Sequence, residues 1–187
     1  EALPGVKSMK PYATKPGMIK TDEYIQGIVF KGVDENYDWQ FFSKHLIEGQ
    51  LPSITDSARV NEVLLSAQVA KLLRLKLNDR IVVYFITGEE IIPRMQQMLI
   101  SGIYRTGFEE FDQRFIVGDL KQIQRLNDWR PDQITGFEVI TTDFFDIDNI
   151  EQEIRNIIIS YREENSEILR TQSITRVYPQ IFDWLSI

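Results

Sequence analysis

Cysteine is absent, and histidine occurs once, at His45. The first absence excludes disulfides, thiolate nucleophiles and zinc–thiolate sites. The second excludes a multi-histidine metal centre. Clustered basic residues are also missing: Lys plus Arg number 21 against 28 Asp plus Glu, for a net charge of -7. Nucleic-acid binding draws on counterion release by clustered Lys and Arg, so this acidic chain argues against it, and against electrostatic adsorption to an anionic membrane. The longest strongly apolar run is Ile81–Ile86, far short of the ~20 residues that span a bilayer. No G-x-S-x-G elbow, P-loop, G-x-G-x-x-G or H-E-x-x-H motif occurs, and no nucleophile–base pair suggests a hydrolase.

What remains is globular in composition. The chain has 187 residues, 43% hydrophobic and 26% charged, which suits one ordinary domain or two small ones. Eleven Phe, 7 Tyr and 3 Trp supply bulk for a core. The chain opens at Glu1 and closes on Trp184-Leu185-Ser186-Ile187 with no polar tail, and so reads as a fragment of something longer.

The first third is β in character. Val6–Thr14 is followed by Lys15-Pro16-Gly17, a turn signal; Met18–Lys20 and Tyr24–Val33 then flank a tight turn at Thr21-Asp22-Glu23. Two hairpins result. Asp38–Leu46 predicts a short helix with Trp39, Phe42 and Leu46 on one side, and Gly49 and Pro52 break the chain. In the middle third Asn61–Ser66 reads as a strand. Ser66 N-caps a helix whose Val69, Leu72 and Leu73 share a face. Strands are expected at Arg80–Ile86, Met95–Tyr104 and Phe115–Val117, with a turn at Thr87–Glu90. Asp119 caps a helix carrying Leu120, Ile123 and Leu126. In the last third, Phe137–Thr141 is a strand and Asp148-Asn149-Ile150-Glu151 resembles a capping box. Ile150, Ile154, Ile157, Ile158 and Tyr161 then repeat with helical period. This face is expected to pack on a sheet containing Phe137–Val139, and Ile168–Val177 is expected to be a strand. The pattern suggests an α/β layer with a β-rich insertion.

Three groups invite a functional reading. His45, in Ser43-Lys44-His45-Leu46, has no oriented partner in the sequence and suits a surface or packing role. Asp143, Asp146 and Asp148 form an acidic cluster; calcium would need more oxygen ligands and a tight loop, and helix-start charge accounts for it. The segment Tyr104–Arg114 is more informative, because two Phe sit among five charges between two apolar strands. Two readings stay open: a hairpin tip presenting Phe108 and Phe111 as interface anchors, or a pair of rings folded back onto the sheet edge.

A family resemblance rests on ordered blocks. Gly32-Val33-Asp34, Phe41-Phe42 and Leu46-Ile47-Glu48-Gly49-Gln50-Leu51-Pro52 resemble the opening of the extracytoplasmic domain of MacB/FtsX-like ABC transporter permeases. Glu62–Ser66, Ala70–Leu73 and Leu75-Lys76-Leu77-Asn78-Asp79 are similar to the next block, with Asn78 where Gly is usual. Ile100–Gly107 is similar to V-x-G-I-x-x-T-G. Phe115-Ile116-Val117 with Asp119-Leu120 and Leu126 is similar to the family's subsequent strand and short helix, and Ile134–Val139 to its return strand. The likeness runs from about Gly32 to Trp184 and is greatest to the lipoprotein-releasing, LolC/LolE-type branch.

The resemblance implies an α+β domain of MacB periplasmic type: an α/β Porter layer, residues 1–54 and 131–187, with a β-rich Sabre subdomain, residues 55–130, inserted. It implies a non-catalytic periplasmic part of an inner-membrane permease, without a cofactor or metal. ATP hydrolysis would belong to a separate ATPase subunit reached through the membrane part. The other implied partners are a second permease subunit, as homo- or heterodimer, and a periplasmic lipoprotein carrier or lipoprotein. The partner-binding residues would be Arg105, Gly107, Phe108, Glu109, Glu110, Phe111, Asp112 and Arg114. A MacB-like efflux role, FtsX-like mechanotransmission and a free-standing binding module are the alternatives.

Overall fold

The computed structural model describes residues 3–86, 93–164 and 169–177. The elements run β1 Val6–Lys20, β2 Ile25–Val33, α1 Gln40–His45, β3 Leu46–Gly49, β4 Glu62–Ser66, α2 Ala67–Leu73, β5 Arg80–Phe85 and β6 Arg94–Tyr104. They continue with α3 Glu109–Asp112, β7 Phe115–Asp119, α4 Leu120–Leu126, β8 Gly136–Thr141, a 3-10 turn at Phe144–Asp146, α5 Ile147–Glu164 and α6 Ile174–Val177. Two compact units emerge: Lys10–Glu138, and a smaller one made of residues 1–9 with 139–187. These limits do not coincide with the boundaries at 54/55 and 130/131 that the resemblance implies; within the larger unit β2 is laddered to β7 from Val29 to Val33, and β1 meets β5 at Met18 and Ile19.

In the larger unit the pairings close on themselves. The order is β2-β7-β4-β6-β5-β1-β8, and β1 also pairs with β2, so six strands form a ring; β3 adds to β6. Period-2 alternation sorts the side chains into two cores. Val63, Leu65, Ile81, Val83, Phe85, Ile100, Ile116, Ile28 and Phe30 join one cluster with α2 and α4, while Leu64, Val117, Val33 and Tyr104 meet Phe42 of α1 in another.

The expected turn at Lys15-Pro16-Gly17 is not a turn: β1 runs straight through it, with Pro16 opposite Val29 and Gly17 opposite Ile28. The Val29 N–H points away from β1, to the Arg114 carbonyl at 2.7 Å. The Pro16–Val29 pair is therefore of the non-hydrogen-bonded kind, and the missing proline N–H costs no bond to β2. At Gly17 a Cβ would lie 2.9 Å from the Phe85 ring, which packs directly over the strand.

Other expectations hold locally. Ser66 accepts from the Val69 N–H at 3.1 Å and Asp119 from the Lys121 N–H at 2.9 Å, so both cap as expected. Asn78 adopts φ 68°, in the left-handed region that Asn tolerates better than most residues. Leu72, however, is exposed, and α2 buries Val69, Ala70 and Leu73 instead. β3 was not expected at all. The turn at Thr87–Glu90 lies outside the described residues.

The smaller unit departs further. Asp143, not Asp148, caps the helical start, accepting from the Phe145 N–H at 2.9 Å. On α5 only Ile150 is fully buried among the apolar residues, with Ile154 and Ile158 half-buried; Ile157 and Tyr161 are exposed. Ile150 lies over Gly5. The described part of the expected strand 168–177 contains no strand. Its end is α6, where the Arg176 and Val177 N–H groups both donate to the Ser173 carbonyl, at 3.1 Å each. Strand propensity at Ile174 and Val177 yields to this local hydrogen bonding.

Candidate functional site

The segment Tyr104–Arg114 connects β6 to β7, but it is not a hairpin. β4 lies between those two strands, parallel to β6 and antiparallel to β7. The connection therefore crosses the end of β4, and its middle winds into the four-residue helix α3. The Asp112 carboxylate organises it from within, accepting from the Thr106 N–H (3.1 Å), the Thr106 hydroxyl (2.7 Å) and the Gly107 N–H (3.1 Å). Gly107 sits at φ 83° with no atom near a would-be Cβ, so backbone conformation rather than space calls for glycine. The Ser66 hydroxyl donates to the Asp112 carbonyl while it caps α2, tying the two helices together.

These contacts divide the expected partner-binding set. Phe111 stacks on Phe115 (4.6 Å, 14°) and lies near Tyr104 and Phe42; Tyr104 donates to the Phe115 carbonyl at 2.7 Å. Its burial, with the Asp112 charge nearby, pushes the Tyr104 phenol well above its usual value. Phe111 is thus partly buried against the second core, and Asp112 is only 5% exposed. The expected exposed anchor at Phe111 and the expected partner contact at Asp112 face inward instead: a crossover connection, unlike a projecting tip, has core beneath it. Arg105, Gly107, Phe108, Glu109, Glu110 and Arg114 do share an exposed surface, with Phe108 40% exposed. Gln113 donates to the Glu109 carboxylate at 2.9 Å.

The other candidates are structural. His45 Nδ1 lies 2.8 Å from the Phe41 carbonyl, and its ring packs 4.4 Å from that of Phe41. Asp146 accepts from the Asn149 amide at 2.7 Å. Among the described residues no group of three or more acidic or histidine side chains is placed to hold a metal.

Two features went unread in the sequence. One is a groove of ≈ 690 Å³ lined by Pro16, Gly17, Gln26–Val29, Gln68, Val69, Leu72, Gln113 and Arg114. The other is a pocket of ≈ 350 Å³ on α5 and α6 around Glu151, Arg155 and Arg176. Glu151 is 4% exposed and accepts from Arg155 at 2.6 Å and Arg176 at 3.3 Å. Burial pushes its carboxyl up, but hydrogen bonds from Arg155 and Ser173 and the two guanidinium charges outweigh burial and hold it below its ordinary value. An acidic residue one position after the buried Ile150 and four before Arg155 was the available signal.

No protein-family model matches the chain, and no curated protein matches it. Solved structures do. The extracellular domain of the noncanonic ABC-type transporter YknZ from Gram-positive bacteria is 15% identical, with 87% of this chain and 79% of that chain covered and a TM-score of 0.57. The periplasmic region of MacB from Actinobacillus actinomycetemcomitans is 13% identical, with 86% and 70% covered and a TM-score of 0.55. The fold is of the MacB periplasmic type. At such identities the likeness is one of backbone, and it bears out the expected α+β class. No helix among the described residues is long and apolar enough to cross a membrane.

Proposed function

We propose that this chain is the extracytoplasmic, non-catalytic domain of an ABC-type transporter permease. The observation that carries the reading is the backbone likeness to the YknZ and MacB domains over 87% and 86% of the chain. The ordered motif blocks from Gly32 to Trp184 add to it. In this reading the full protein sits in the inner membrane with this domain in the periplasm. It works with a cytoplasmic ATPase subunit and a second permease subunit, and it hands lipoproteins to a carrier. The division into Porter (1–54, 131–187) and Sabre (55–130) belongs to the same proposal.

The working surface is the exposed part of the β6–β7 connection: Phe108 as apolar anchor, Arg105 and Arg114 as cations, Glu109 and Glu110 setting specificity and on-rate. Phe111 and Asp112 hold its shape rather than touching the partner. The test is a photo-cross-linking residue at position 108 of the parent protein in cell envelopes. An exported lipoprotein or carrier captured at 108, and lost with Glu109→Lys plus Glu110→Lys, is the expected outcome. Capture of nothing, with the protein folded and in the membrane, would reject the surface. A MacB-like efflux role is the second reading, favoured because both solved neighbours named above are a MacB and a YknZ. A captured partner that is not a lipoprotein or its carrier would favour it.

A further inference from the structure

β2 is longer than the strand it pairs with on its outer side. Its ladder with β1 covers Ile25–Val33, but its ladder with β7 begins only at Val29, opposite Phe115. Ile25–Ile28 therefore form an overhang paired on one side, about 13 Å long at ~3.3 Å per residue. The direction of its backbone groups is fixed by one hydrogen bond. The Val29 N–H points outward, to the Arg114 carbonyl, so by strict alternation the N–H and C=O of Gly27 and Ile25 also point outward. The Gly27 carbonyl accepts from the Gln26 side chain at 2.8 Å; the N–H groups of Gly27 and Ile25 face the open side. Gly27 is exposed, with no atom within 4 Å of a would-be Cβ, and Ile25 is 64% exposed.

This edge forms one wall of the ≈ 690 Å³ groove. Opposite it stand Gln68, Val69 and the 48% exposed Leu72 of α2, and at the inner end Arg114. Arg114 is the one charged residue among the described lining residues, and it is exposed. The devices that usually blunt a strand edge, an outward Lys or Pro or a bulge, are missing from the overhang.

We propose that the β2 overhang is a strand-addition site for an extended peptide segment of a partner protein. Two of the peptide's backbone positions would pair with Ile25 and Gly27, an apolar side chain would rest on Leu72 and Val69, and a carboxylate would meet Arg114. The open backbone donors select a strand rather than a helix, and the exposed cation on a chain of net charge -7 selects an acidic partner. The proposal does not depend on the transporter reading.

The test uses the 187-residue chain, isotope-labelled, and the capped peptide acetyl-Thr-Val-Thr-Val-Asp-amide. Saturable shifts of the Ile25 and Gly27 amides are expected. Gly27→Pro removes an outward N–H and no β1–β2 bond, so it should weaken binding about tenfold at an unchanged melting temperature. If that variant is unstable, wild-type protein with the peptide N-methylated at alternate amides answers the same question, and this peptide should not bind. Replacing Asp by Asn in the peptide should weaken binding to wild type but not to Arg114→Gln. The proposal is overturned if the Ile25 and Gly27 amides stay unmoved at millimolar peptide. It is also overturned if the N-methylated peptide binds equally, or if sedimentation shows a second copy of the chain already occupying the edge.

Discussion

The two units are held together by different physics. In Lys10–Glu138, apolar side chains from all six ring strands and from α2 and α4 bury one another, and the buried polar groups Ser66, Asp112 and Asp119 are spent on backbone N–H and C=O groups. In the smaller unit Ile150 is the only fully buried apolar residue among those described, and beside it lies a buried carboxylate gripped by two arginines. A helix with a clear apolar period can thus bury one residue of that face together with a charge cluster, while Ile157 and Ile159 stay 53% exposed. The larger unit should resist unfolding through packing, the smaller through charge.

The largest expected effect is in the larger unit. Phe42→Ala should destabilise by about 3–5 kcal/mol, since the ring is 1% exposed and borders Tyr37, Trp39, Tyr104 and Phe111. Urea unfolding measures it. A loss below about 1 kcal/mol would mean that the second core is not packed as described. Next, Asp112→Ala should cost roughly 1–3 kcal/mol, because it orphans the Thr106 and Gly107 N–H groups. Hydrogen exchange should show those two amides opening first. Ser66→Ala should cost ~1 kcal/mol as a lost cap.

Acidity should separate the units by sign. Burial raises the Asp119 carboxyl, against the pull of the Val60 and Lys121 amides and of the Lys121 and Arg59 charges. Its contribution is therefore complete below the ordinary aspartate value of ~3.9 and declines as pH rises through the raised native value. Glu151 is held low, so its contribution is present above the ordinary glutamate value and is lost as pH falls through the native one. Asp119→Asn should flatten the first slope, and Glu151→Gln the second, in unfolding midpoints measured across the acid range. The same slope in both variants would remove the contrast. The smallest effect is Ile157→Ala, expected within about ±0.5 kcal/mol because the side chain already faces solvent.

Local chemistry was legible in the sequence; remote pairing was not. The caps at Ser66 and Asp119, the apolar face of α4 and the left-handed Asn78 are each set within a few residues. The ring depends on β1 meeting both β2 and β5, and no local pattern encodes the second of those pairings. The same gap misled the reading of Pro16-Gly17, ordinarily a break, which here occupies a non-hydrogen-bonded position under Phe85. Of the candidate surface, Phe108 and its charged neighbours could be read from composition, and Phe111 could have been read either way. What decided between them was β4 lying between the strands that flank the segment.

The transporter reading is tested most directly by recovering the parent protein from cell envelopes through an affinity tag, in mild detergent, and identifying what comes with it. The account predicts an ABC ATPase subunit and a second permease subunit, with hydrolysis of ATP by the complex and none by the isolated 187-residue chain. A parent recovered from the soluble fraction, or from the membrane with no ATPase attached, would contradict it.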